Sequence, residues 1–357
     1  MKRISLAAAP LFVFLALGAR PARAQCSATG NVCITPNGST NSFLTAAGVS
    51  LDQVLSQVDG LFQTNNLGSF LRDFQNAQSF SSKGLGVDYA SEATLVEAGA
   101  TFSVASNVDK AYKPTGSYTD PPISGGGANF SLMAGLGLGL IGLDPVMIFG
   151  NWFKGSASLG QLGGNYQNWG MHGQLRLLGP SRSMSATKVL VRWGGIAITS
   201  GVDYAHIELS STPKAISSTV DVAPGAPVTV TSTGNLSFTL DQTTYSVPLE
   251  VTTSLRLLSL ITVYGGLGLD WQLGGGSNMN IGMNANLTGN YQGTSFNDLG
   301  TATINARGHV SPSAARMREI FGVQLSFVDV VRIFAQVNTT ASSPVLTSLA
   351  VGLRLAI

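Results

Sequence analysis

The sequence predicts an all-β protein: an antiparallel transmembrane β-barrel of about twelve strands (range 10–14), preceded by a short helical periplasmic segment. Three observations carry this. The chain ends on a strict alternation, with Leu349, Val351, Leu353, Leu355 and Ile357 on one parity and Ala350, Gly352, Arg354 and Ala356 on the other. Successive strand side chains point to opposite faces, so this strand has one greasy face and one small or polar face. The chain opens on an export signal. It is also hydrophobic on average while only 11% of its residues are charged, against roughly 25% in ordinary soluble domains.

Lys2 and Arg3 precede the apolar run Ile4–Leu17, and Ala22-Arg23-Ala24 is a small-x-small cleavage site. Residues 1–24 therefore read as a secretory signal peptide, cut before Gln25. Its removal takes four basic residues and leaves 16 basic against 18 acidic. That balance gives no support for nucleic-acid binding. After the signal, no stretch reaches the ~18–20 apolar residues of a membrane helix.

Residues 25–90 are expected to form a periplasmic tail with amphipathic helices. Cys26 and Cys33, the two cysteines of the chain, are seven apart, and in an exported protein they pair in a small disulfide loop. Residues 25–42 are polar and read as a mobile tail. Ser50 and Gln53 form a capping-box pair, and Leu51, Val54, Leu55, Val58, Leu61 and Phe62 follow helical spacing. Leu67, Phe70, Leu71 and Phe74 suggest a second helix. The pair either packs at the mouth of the barrel or plugs it.

From residue 94 onward the period is two, and 91–357 is expected to be the barrel. Phe130, Leu132, Ala134, Leu136 and Leu138 oppose Ser131, Met133, Gly135, Gly137 and Gly139. Similar patterns run through 168–177, 244–257, 260–273 and 278–291. Further strands fall near 94–106, 145–155, 192–210, 299–309, 316–327, 329–339 and 345–357. The segment 228–240 is read as an outer hairpin. The short connections (142–144, 258–259, 328–329) alternate with longer ones, as periplasmic turns and extracellular loops do in bacterial barrels. The longest, 107–128 and 211–243, are rich in Ser, Thr, Gly and Pro.

Strand direction predicts an inward-facing basic cluster at periplasmic depth: Arg176, Arg256, Arg332 and Arg354. Its expected charge partners are Glu97, low on the first strand, and Asp52, Asp59 and Asp73 of the helices. The cluster either ties a plug to the barrel base or forms an anion-selective constriction. Asn278, Asn280, Asn284, Asn286 and Asn290 read as an uncharged stripe on the lumen wall.

No catalytic residue is nominated. His172 sits mid-strand facing inward, His206 shares the lipid-side parity of Val202 and Tyr204, and His309 is at a strand end. No Gly-x-Ser-x-Gly elbow accompanies them. Two cysteines and three scattered histidines offer no metal-ligand spacing, so neither metal nor cofactor is expected. Gly135–Gly139 lacks the following helix that a phosphate loop needs.

Several segments resemble an uncharacterised family of bacterial outer-membrane barrels, a domain of unknown function: Asn168–Leu178 (NWGMHGQLRLL), Trp193–Leu209, Thr262–Trp271 (TVYGGLGLDW), Phe321–Asn338 and Leu349–Ile357. The resemblance implies an outer-membrane barrel and carries no catalytic residues. Ile357 stands where that family usually ends in Phe. Phe80–Ala93 (FSSKGLGVDYASEA) is similar to a hatch segment of the long-chain fatty-acid transporter barrels, although their Asn-Pro-Ala motif is replaced by Gly99–Ala105 (GATFSVA).

These readings give an integral barrel of the bacterial outer membrane with a periplasmic N-terminus. Its partners are membrane lipid, the barrel assembly machinery and a small solute, not nucleic acid. A ring of about twelve strands has a narrow interior, which suits a passive pore for small or apolar solutes, gated or plugged by the N-terminal helices. A structural or adhesive surface barrel and a lipid-acting hydrolase are the alternatives.

Overall fold

A computed structural model describes residues 24–357 except 29, 62–63, 91–94, 109–124, 160–161, 180–190, 212–213, 223–227, 259, 328–329 and 343. Of the expected signal peptide only Ala24 is described, and most of the 107–128 loop and of the 180–191 connection also lie outside the described residues. The strands are β1 (Gln25–Cys26), β2 (Val32–Pro36), β3 (Val96–Asn107), β4 (Gly126–Gly137), β5 (Val146–Leu159), β6 (Leu162–Leu178), β7 (Val191–Ser211), β8 (Lys214–Asp221), β9 (Val228–Leu257), β10 (Ile261–Tyr291), β11 (Thr294–Val310), β12 (Ala315–Phe327), β13 (Val331–Thr340) and β14 (Leu346–Ala356). The helices are α1 (Gly38–Ala47), α2 (Leu51–Leu61) and α3 (Thr64–Ser81). The chain divides into two compact units.

The larger unit comprises Gln63–Pro213, Ser237–Ile281 and Arg307–Ile357. In it ten strands close into an antiparallel ring in the order β3-β4-β5-β6-β7-β9-β10-β12-β13-β14, with β14 pairing back onto β3. The alternation sorts the faces. On β14, Leu349, Val351, Leu353 and Leu355 are exposed, while Ser348, Ala350, Arg354 and Ala356 are buried. On β3, Glu97, Thr101, Ser103 and Asn107 are buried, while Phe102 and Val104 are exposed. Polar residues inside and apolar residues outside is the pattern of a wall facing lipid.

The outward face carries its own depth marker. Trp152, Trp169, Tyr204 and Tyr245 lie directly opposite one another across β5, β6, β7 and β9. Trp169 stacks on Tyr204 with 5.6 Å between ring centroids, and Tyr204 meets Tyr245 at a tilt, 5.0 Å away. On β7, Trp193 lies eleven residues before Tyr204, with Ile196, Ile198 and Val202 between them on that face. At ~3.3 Å per residue and ~40° of tilt, the separation is roughly 28 Å, close to the ~25 Å apolar band of a membrane barrel.

Inward aromatic rings are accommodated by glycine directly opposite: Phe149 over Gly135, Tyr264 over Gly322 and Phe334 over Gly352. A Cβ at any of these glycines would strike the ring. On β4 this accounts for Gly135, while Gly127 leaves room for the backbone of Ala77 and Gln78.

Ring closure uses ten strands because β10 is one continuous strand of 31 residues where the alternation suggests two, and because β11 lies outside the ring order. The first residues of β9 pair with β8 as a hairpin.

The smaller unit comprises Met1–Phe62, Lys214–Leu236 and Gly282–Ala306. Residues 25–42, expected as a polar mobile tail, instead carry β1, β2 and the start of α1. Cys26 and Cys33 lie opposite each other on β1 and β2 and are bonded. β2 pairs with β11, Val32 facing Ile304. Asn37 caps α1, its side chain accepting from the Ser39 N–H in a capping box with Thr40. Ser50 and Gln53 cap α2 reciprocally at 2.8 and 3.2 Å. Val32, Ile34, Phe43, Leu55, Val58, Val228, Val230, Leu287 and Ile304 are buried together in one apolar core. Their apolar character is what orders the polar-looking tail.

The asparagine stripe is a correction. Asn278, Asn280, Asn284 and Asn286 are exposed and Asn290 is half-buried, while Met283, Ala285 and Leu287 between them are buried in the smaller unit's core. Early in β10 the even positions Thr262, Tyr264 and Asp270 are buried; beyond Gly275, which sits at φ 108°, the odd positions are. One extra residue in a strand turns every following side chain to the other face. The stripe therefore lines no lumen.

Candidate functional site

α3 and the segment 82–90 lie inside the ring. Ala77, Gln78, Ser79, Phe80, Ser81, Ser82, Lys83, Leu85, Val87 and Asp88 are all buried, and the segment is tied to inward residues around the wall. Gln78 donates to Asn129 on β4 and accepts from the Ala128 N–H. Asn107 on β3 donates to Asp73 at 3.2 Å. Gln174 on β6 donates to the Asp88 carbonyl, Gln242 on β9 to that of Gln75, and Gln272 on β10 to Ser79.

Two buried ionic networks complete the attachment, and a third ties strands of the wall to one another. Lys83 Nζ lies 3.3 Å from Asp203 on β7 and donates to Ser246 on β9. The other Asp203 oxygen is 3.0 Å from His172 Nε2. Asp88 bridges two arginines: Arg354 Nη1 at 2.7 Å and Arg332 Nη1 at 3.2 Å. Arg332 also meets Glu97 at 3.3 Å, and Arg354 donates to the Val87 carbonyl and stacks 3.9 Å over the Phe334 ring. Arg332 and Arg354 are directly opposite on β13 and β14; without Asp88 the like charges would repel. In the third network Arg318 donates to Glu250, to Asp270 at 3.0 Å and to Asn338 at 2.8 Å. A buried charge is tolerated only when paired and hydrogen-bonded, and these partners supply that.

The expected basic cluster is therefore divided. Arg332 and Arg354 come together, while Arg176 and Arg256 are half-buried on β6 and β9. The carboxylates against Arg332 and Arg354 are Asp88 and Glu97. Asp52 and Asp59 sit on α2 in the smaller unit, where Asp52 accepts from Gln25, and Asp73, midway along α3, accepts from Asn107. The physical reason is depth: the loop after α3, not a helix, carries a carboxylate down to the arginines. Sequence reasoning missed Arg318, Lys83 and Asp88. Arg318 shares its parity with Gln324 and Ser326, so alternation alone marks it as inward. Lys83 and Asp88 fall in the hatch-like segment Phe80–Ala93.

Near the opposite ends of these strands, β4 and β5 part. They pair over only Leu132–Gly137 and Met147–Trp152, whereas β5 and β6 pair out to Leu159 and Leu162. Beside this seam is a cavity of about 520 Å³ lined chiefly by apolar groups, among them Ala128, Phe153, Tyr166, Ile207 and Leu209. Asn168 crosses beneath the seam to donate to the Phe130 carbonyl at 2.8 Å, and Phe130 meets Phe153 edge to face. His172 is a lumen residue held by Asp203. His206 is outward and half-buried. His309 bonds Asn278 at 2.7 Å.

A family model described as Lsa36-like matches residues 24–357. The chain belongs to the Lsa36-like family. No curated protein matches this Lsa36-like chain. Among solved structures it is similar to the translocator domain of the autotransporter NalP from Neisseria meningitidis (12% identity, 84% of this chain and 98% of that one, TM-score 0.29). It is also similar to a Pseudomonas aeruginosa FadL homologue (8%, 81% and 96%, TM-score 0.28) and to Ail, the attachment invasion locus protein of Yersinia pestis (10%, 74% and 100%, TM-score 0.25). At such TM-scores no residue of those barrels maps onto a site here.

Proposed function

We propose that this chain is an integral outer-membrane barrel that acts as a plugged channel for small apolar solutes, with residues 64–90 as the plug. The observation that carries the reading is the buried ionic tether: Lys83 and Asp88 hold the plug to β7, β13 and β14 through Asp203, Arg332 and Arg354. Such attachments are directional and few, so they are lost together when the segment shifts. The apolar cavity at the β4–β5 seam supports the solute class, because a pocket for a small ligand is mostly apolar with few polar groups.

Single-channel recording in a planar bilayer tests this. The refolded chain from Gln25 is expected to be closed, and the same chain lacking 25–90 to conduct steadily. The full-length double variant Lys83→Gln/Asp88→Asn is expected to open intermittently. A truncated barrel that runs as a heat-modifiable folded band yet carries no current would overturn the channel reading. It would favour the structural or adhesive barrel, for which the same tether is a permanent brace.

A further inference from the structure

We propose that His206, Glu208 and Asp241 bind a divalent transition-metal ion, zinc by their ligand chemistry, on the outward face where β7 meets β9. The three side chains each offer one ligand atom, and those atoms lie within 4.8 Å of one another. His206 Nε2 and Glu208 Oε1 are 3.5 Å apart. Ligands on a tetrahedral zinc with bonds of about 2.1 Å stand roughly 3.4 Å apart, so that pair is already at coordination spacing, and the Asp241 carboxylate lies within 4.8 Å of both.

Register makes the grouping. Glu208 and Asp241 are directly opposite across the two strands. Like charges in that position destabilise a sheet, and a bound cation converts the repulsion into attraction. His206 joins the same face two residues before Glu208. The cavity beside the pair, about 610 Å³, has Glu208 and Asp241 as its charged lining residues.

Two further side chains orient the ligands. Thr243 Oγ1 lies 3.1 Å from His206 Nδ1; accepting the Nδ1 proton leaves the Nε2 lone pair free. Asn165 donates to Glu208 Oε2 at 3.1 Å, leaving Oε1 for the ion. Outer partners of this kind set the tautomer and orientation of metal ligands. The site stands two to four residues beyond the aromatic row at Tyr204, on polar wall rather than in the apolar band. Three protein ligands leave one position of a tetrahedral ion open to water or an exogenous donor. His and carboxylate together favour zinc over calcium or magnesium, which prefer all-oxygen shells.

The test is calorimetric titration of the refolded, tag-free chain from Gln25 with Zn²⁺, after chelator stripping, with Ca²⁺ and Mg²⁺ as comparisons. The expected result is one equivalent of Zn²⁺ bound, with Ca²⁺ and Mg²⁺ much weaker. His206→Gln and Asp241→Asn should each weaken Zn²⁺ by at least about tenfold, and Thr243→Val by about 10–100-fold. His309→Gln should leave it unchanged. A heat-modifiable band establishes that each variant is folded. Absence of saturable Zn²⁺ binding would overturn the proposal, as would binding that His206→Gln leaves intact.

Discussion

Inside the ring, the wall residues turned away from solvent are mostly polar, among them Thr101, Ser103, Asn129, Gln174, Thr252 and Gln336; inside the smaller unit they are mostly apolar, among them Val32, Phe43, Leu55, Val230 and Ile304. Both interiors exclude solvent, but they are held by different forces. The wall of the ring carries most of its apolar residues outward into an apolar medium, so its inner face is chiefly polar. One apolar cluster remains inside, where Val87, Tyr89 and Ala90 of the plug pack against Met133, Phe149, Tyr264 and Ile320; elsewhere hydrogen bonds and ion pairs hold the plug to the wall. The smaller unit buries its apolar groups, at ~25 cal/mol per Å² removed from water. The same strand serves both regimes: β10 changes its buried parity at Gly275 and its inner chemistry with it.

This contrast makes the largest mutational effect in the ring one of charge. Arg318→Met leaves Glu250 and Asp270 buried without their cation. It should cost about 3–5 kcal/mol, read as a lowered midpoint in urea unfolding followed by heat-modifiability on a gel. Adding Glu250→Gln and Asp270→Asn should recover most of the loss. If Arg318→Met alone were neutral, the ionic account of the interior would fail.

In the smaller unit the corresponding effect is one of volume. Leu55→Ala should cost about 2–5 kcal/mol through a cavity in the apolar core. Because Leu55 lies in the unit that excludes the plug, the loss should appear as faster proteolysis within residues 25–61 while the heat-modifiable band persists. Equal loss of the band would mean that the two interiors unfold as one.

These differences also explain what was legible in the sequence. The period-two pattern on β14 and the inward placement of Arg332 and Arg354 depend only on strand parity, which a sequence displays directly. The asparagine stripe was misread because a single left-handed glycine reverses parity, and nothing in the alternation on either side announces the slip. The tail at 25–42 looked unstructured because its few apolar residues, chiefly Val32 and Ile34, find their partners on strands some 200–270 residues away. Asp88 as a bridge between arginines, and His206 beside Asp241, depend on pairings distant in sequence that composition and spacing do not encode.

The smallest effect separates the two interiors most sharply, because one isosteric exchange is made in both directions. Val230→Thr introduces a hydroxyl into the apolar core of the smaller unit and should cost about 1–3 kcal/mol. Thr252→Val is the reverse change on the inner wall of the ring. The Thr252 hydroxyl is buried and has no hydrogen-bond partner among the described residues, so its removal surrenders no bond, relieves the cost of burying it, and should leave stability unchanged or raise it by up to about 1 kcal/mol. Urea midpoints for the ring and limited proteolysis for the smaller unit give the two values. Should Thr252→Val instead destabilise by a kilocalorie or more, the hydroxyl must be solvated in place, and the ring interior is wetted around the plug rather than packed dry against it.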